Sequence, residues 1–187
     1  MENKNFKEDF LNIRILINNS DFKSAELAIN QLESLNKIKK ISLLILKRDL
    51  YFFSNNLLKA YLISKEIILF FENIKTKLPK KSKHHHEYRN SLYVSINYHY
   101  SKKHYDRVIK DINKVLEIET YIDNLLIISK IMMNSFFSLN DFTNHSKWSD
   151  NYNQYLEILF EKSEPMLLIN QYLPYEMINK ESNSKVI

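Results

Sequence analysis

The chain contains no glycine and no cysteine, and only three prolines, Pro79, Pro165 and Pro174. Tight hairpins and phosphate-cradling loops both depend on the backbone freedom of glycine, so strand hairpins and Gly-rich nucleotide motifs are excluded. The absence of cysteine removes disulfides, thiol catalysis and cysteine-ligated zinc, and is compatible with a reducing compartment. Long apolar runs are missing too: Ile67 to Phe71 is far shorter than a membrane span. The first residues, Met1 to Asp9, are too acidic and polar for a secretory signal. The chain therefore reads as soluble and cytoplasmic, with no membrane partner.

What is present is an apolar, charged and helix-compatible composition. Of the 187 residues, 44% are hydrophobic and 26% charged, a globular balance rather than a disordered one. The net charge is +5, with much of the excess between Lys75 and Arg89. Pro79 and mutual repulsion of like charges make that stretch a solvated loop in this reading. His84, His85 and His86 within it form a weak metal-chelating tract with no carboxylate or cysteine geometry, so no metal site is assigned. A phosphate or acidic partner could meet the basic run, but direct DNA binding by this chain alone is not expected. No triad signature or placed pair of acids exists, and the sequence points away from catalysis and from any cofactor.

Four short marks punctuate the chain: Ser20-Asp-Phe22, Asn55-Asn-Leu57, Lys103-His-Tyr105 and Asn140-Asp-Phe142. Each puts a polar turn before a large apolar anchor, and the anchors stand 35, 48 and 37 residues apart. A period in the mid-thirties is that of a helical hairpin, which must stack because one hairpin cannot bury its own apolar face. The basic loop accounts for the longer interval. Periodicity gives helices from Phe6 to Ile17, Phe22 to Leu32, Ile38 to Phe53, Leu57 to Ile74, Glu87 to Tyr100, His104 to Glu119, Tyr121 to Leu139 and Phe142 to Glu161. Ala25 and Ala60 follow their anchors by three residues, where a small side chain lets helices approach; Val108 and His145 hold the equivalent places. The expected fold is all-α: a right-handed stack of about four antiparallel hairpins, closed by a short C-terminal capping helix around Met166 to Leu173. One domain is expected over residues 1–178, with a disordered tail at 179–187.

Counting back from the anchors aligns columns without any homologue. Minus eight gives Arg14, Asp49, Asn97 and Asn134, all polar on otherwise apolar helices. Minus twelve gives Phe10, Ile45, Tyr93 and Lys130, and minus five gives Ile17, Phe52, Tyr100 and Phe137. Spacings of four and three put these columns on one helical face. A polar ladder flanked by aromatics suits an extended peptide, since carboxamides both donate to and accept from main chain. The candidate peptide-binding residues are Arg14, Asp49, Asn97, Asn134, Phe52, Tyr93, Tyr100 and Phe137. The same pattern also fits polar residues bonded between helices or solvated on an exposed face.

The hairpins with their anchor-plus-three alanines resemble tetratricopeptide-type repeats, although the glycines of that family are absent. Residues 49–57, 62–68 and 92–100, and the helix after them, are similar to the C-terminal sensor region of Rgg/MutR-type transcriptional regulators, peptide-pheromone receptors of Gram-positive bacteria. The likeness spans most of residues 40 to 160. It implies a quorum-sensing role: a short peptide bound in the concave groove, and a homodimer or a heterodimer with a related regulator. The family's N-terminal helix-turn-helix has no room before Phe6, so a detached sensor or free-standing paralogue is expected. The alternative is a tetratricopeptide-like scaffold that holds a protein partner without a small ligand.

Overall fold

A computed structural model describes residues 2–35, 39–74, 83–161 and Tyr172. Among the described residues there are eight helices and no strand: α1 Glu2–Asn18, α2 Phe22–Ser34, α3 Lys40–Phe53, α4 Leu57–Ile74, α5 Lys83–Ser101, α6 Tyr105–Leu116, α7 Ile122–Ser138 and α8 Phe142–Glu161. The chain forms two compact units, Met1–Val94 and Ser95–Ile187, with α5 running from one into the other.

The four elbows share one construction. Ser20, Asn55, Lys103 and Asn140 all have φ near +60° (61°, 61°, 59° and 59°), the left-handed conformation that ends a helix. The next residue's amide then reaches back to an orphan carbonyl one turn inside the preceding helix. Asp21 donates to Leu16, Asn56 to Tyr51, His104 to His99 and Asp141 to Phe136, at 2.9, 2.8, 2.9 and 2.9 Å. The same four residues start the following helices. Asp21 accepts from the Ser24 amide at 3.2 Å, Asn56 from Lys59 at 3.3 Å and Asp141 from Asn144 at 3.1 Å. His104 makes no such side-chain bond. One short link thus satisfies both ends.

In the first unit α1 packs on α2, α2 on α3, α1 on α3, and α3 on α4. Ile13, Ile17, Ala25, Ile29, Leu32, Leu43, Leu46 and Leu50 form a core, with Phe10, Phe22 and Tyr51 packed against it. In the second unit α7 packs on both α6 and α8, and Ile112, Ile128, Ile131 and Met132 are buried. Ala25, Ala60 and Val108 have no exposed surface, as close helix approach requires. His145, their counterpart, is half-buried, and its ring Nδ1 lies 2.9 Å from the Met133 carbonyl oxygen.

One expectation is corrected. Residues 83–86 are not loop: α5 begins at Lys83, one turn before the expected start at Glu87, and Glu87 and Tyr88 are buried in it. Arg48 of α3 and Arg14 of α1 pair with Glu87, so a stretch that looks merely basic contributes an anion to ion pairs with other helices. The anchor Phe142 is 59% exposed and rests edge-on against Phe137. The proposed capping helix, Tyr172 apart, and the 179–187 tail lie outside the described residues, as do residues 75–82 of the basic stretch.

Candidate functional site

In the first unit the polar residues converge on one buried cluster. Arg48 and Asp49, adjacent on α3, are joined by Arg14 from α1 and by Glu87 and Ser91 from α5. Arg48 donates through Nε and Nη2 to Asp49 Oδ1 at 2.8 and 2.6 Å, and through Nη2 to Glu87 Oε2 at 2.8 Å. Its Nη1 reaches the Glu87 carbonyl at 3.1 Å and Ser91 Oγ at 2.9 Å. Arg14 Nη2 bridges the remaining oxygens, Asp49 Oδ2 at 3.2 Å and Glu87 Oε1 at 3.0 Å. Two cations and two anions balance, as charges buried this deeply require. Burial pushes the Glu87 carboxyl up, but Arg48 and Arg14 together outweigh it and hold it below the ordinary carboxylate range.

Arg14 and Asp49, aligned in one column by the sequence, therefore do meet, but as partners of each other. Asp49 is 4% exposed and its carboxylate is engaged by both arginines, which places it in a structural clip rather than on an open groove wall. Tyr93 is fully buried. Phe52 is half-buried, edge-on to Phe53 at 5.3 Å. Arg48, Glu87 and Ser91 escaped the sequence reading. The one available signal was the charged pair Arg48-Asp49 inside the apolar run Leu43 to Phe53, which demands partners.

The second unit keeps a more open arrangement. Asn97 and Tyr100 stand one turn apart on α5, and Asn134 and Phe137 one turn apart on α7. The Tyr100 phenol and the Asn134 carboxamide are hydrogen-bonded, which brings the two pairs together. Burial raises the Tyr100 phenol above its ordinary value, against the opposing pull of Asn134. Both residues are half-buried, while Phe137 is 59% exposed. Asn97, also half-buried, donates from Nδ2 to the main-chain carbonyl of Tyr172 at 2.8 Å. Here an amide and a phenol flank an exposed aromatic ring, and a second amide already holds a peptide carbonyl.

A separate open cavity of about 300 Å³ lies between the start of α3 and the end of α4, lined by Lys39, Lys40, Ile41, Leu44, Glu66 and Phe70. Among the described residues no group of three or more His, Asp or Glu is placed to hold a metal ion, and no helix is long and apolar enough to cross a membrane. Comparison with family models, with curated proteins and with solved structures returns no match for this chain.

Proposed function

We propose that the chain is a peptide-sensing regulatory module, built as a tetratricopeptide-like right-handed stack and similar in role to the sensor region of Rgg/MutR-type regulators. It acts in the cytoplasm through contacts with a second copy or a related regulator, without touching DNA itself. The observation that carries this reading is the grouping of Asn97, Tyr100, Asn134 and Phe137 in the second unit. Carboxamides there can pair with both polar groups of a peptide bond, and the exposed ring supplies an apolar contact. The Arg14–Asp49 pair contributes rigidity in this reading and no ligand contact. A peptide that binds one arrangement of the hairpins better than another shifts the population toward it.

The test is thermal melting of the chain with synthetic short hydrophobic peptides. A peptide present at a hundredfold excess over its Kd stabilises the folded chain by about 2.7 kcal/mol, and Asn97→Ala and Asn134→Ala should weaken that response. Unchanged affinity in both variants would remove these residues from the site. A second reading, a scaffold for a protein partner, is favoured by α4. Its Leu58, Leu62 and Leu69 are 53%, 52% and 57% exposed at spacings of one and two turns. A scaffold would ignore the peptides.

A further inference from the structure

We infer that the cavity between the start of α3 and the end of α4 binds a small zwitterion with an apolar side chain, of the free amino-acid class. The site stands apart from the residues of the peptide-binding reading above. Its walls are Lys39 with Lys40, Ile41 and Leu44 of α3 on one side, and Glu66 and Phe70 of α4 on the other. A volume of about 300 Å³ stands at the lower end of ligand pockets, ~300–1,000 Å³, and suits a small molecule rather than a chain segment. Ile41 and Leu44, one turn apart, are half-buried, and Phe70 is 42% exposed. Phe70 sets its ring edge-on to the buried Phe71 at 5.3 Å, which makes it a supported wall. Glu66 stands one turn from Phe70, so a carboxylate and an aromatic ring share one face of α4. Cations therefore line the cavity from one helix and an anion from the other. Among the described residues, none of Lys39, Lys40 and Glu66 has an ion-pair partner, and they do not pair with one another. A ligand carrying both signs satisfies both walls at once: its carboxylate meets the lysine ammonium groups and its own ammonium donates to Glu66. Its side chain then covers Ile41, Leu44 and Phe70, removing apolar surface from water. A simple carboxylate would leave Glu66 facing an anion, and a simple amine would leave the lysines facing a cation.

The probe is L-phenylalanine, titrated into the full chain and followed by proton–nitrogen NMR. Two analogues accompany it: hydrocinnamate, which lacks the amine, and phenylalaninamide, which lacks the carboxylate. Phenylalanine should bind with a Kd of order millimolar, moving the amide signals of Lys40, Leu44, Glu66 and Phe70. Each analogue should bind roughly threefold more weakly, the loss of one solvent-exposed ion pair. Glu66→Gln should weaken phenylalanine by a similar factor without weakening hydrocinnamate, whereas Lys40→Gln should weaken both. Lys40 and Glu66 are exposed, so both variants keep the fold. No signal movement with phenylalanine at millimolar concentration overturns the proposal. Equal affinity for all three probes overturns it too, since the cavity would then be indifferent to charge, as does an equal loss of phenylalanine and hydrocinnamate in Glu66→Gln. Asn134→Ala should leave phenylalanine binding unchanged, so failure at this cavity is distinguishable from failure of the peptide-binding reading.

Discussion

Arg48 grips Glu87 twice, through the side-chain carboxylate at 2.8 Å and through the main-chain carbonyl at 3.1 Å, with no part of the arginine side chain exposed. The contact ties α3 to the first turns of α5 across 39 positions of sequence. Arg48→Met removes it and leaves Glu87 and Asp49 with Arg14 as their one remaining cation in the cluster. The expected loss is about 3–5 kcal/mol, the usual cost of stranding one partner of a buried ion pair. Combining Arg48→Met with Glu87→Met restores charge balance through Arg14 and Asp49, and should recover much of that loss. Urea denaturation of the two single variants and the double gives the coupling directly.

Acid stability follows from the same carboxylate. The folded-state pKa of Glu87 lies below its ordinary value: burial opposes the shift, and Arg48 and Arg14 override it. A depressed folded pKa means that the stabilisation is complete above the unfolded pKa, about 4.3 for a glutamate. It is lost as pH falls through the lower folded value. Between pH 5 and pH 2 the parent chain should therefore lose stability more steeply than Glu87→Gln. The variant should start from a lower stability at neutral pH. Parallel slopes in denaturant titrations at several pH values would contradict the assignment.

The elbows carry a cost that can be removed. Lys103 adopts φ 59° with an ordinary side chain and an exposed surface, whereas Asn55 and Asn140 are residue types that tolerate this conformation. Lys103→Gly should stabilise the chain by about 1 kcal/mol, and Asn140→Gly by only a few tenths, because glycine also gains freedom in the unfolded chain. The shift in urea midpoint at constant slope is the measurement. Equal gains at both positions would show that residue type at the turn does not matter.

The elbows were legible because their chemistry is local. A polar turn residue, a cap and an apolar anchor lie within three positions at Ser20, Asn55 and Asn140, while the Lys103 elbow keeps the left-handed turn without a side-chain cap. The helix ends followed, and α4 and α8 begin and end where periodicity puts them. The ion-pair cluster was hidden because Glu87 stands beside histidines and lysines, and nothing nearby in sequence announces Arg48 as its partner. Column counting put Arg14 and Asp49 in one column, and the two side chains meet. It could not tell a face turned to a neighbouring helix from one turned to a ligand. That distinction needs burial, which no spacing rule supplies, and Tyr93 is wholly enclosed.

Tyr100 and Asn134 offer the sharpest separation of a binding role from a supporting one. The phenol is bonded to the carboxamide, and burial raises its pKa, so it stays protonated at neutral pH. A peptide main chain that uses the Asn134 amide must compete with that bond. Tyr100→Phe removes the competitor and keeps the ring, so it should bind a peptide identified by the melting assay as tightly as the parent chain or more so. Asn134→Ala removes the receiver, and should weaken binding by about 1 kcal/mol, roughly fivefold. Both changes break the same hydrogen bond and should cost similar stability, of order 1 kcal/mol. If the pair only supports the fold, the two variants will lose stability and affinity together. Opposite movements in affinity at equal stability require that the amide itself meets the ligand, an outcome readable from calorimetric titration alongside urea unfolding of the same two proteins.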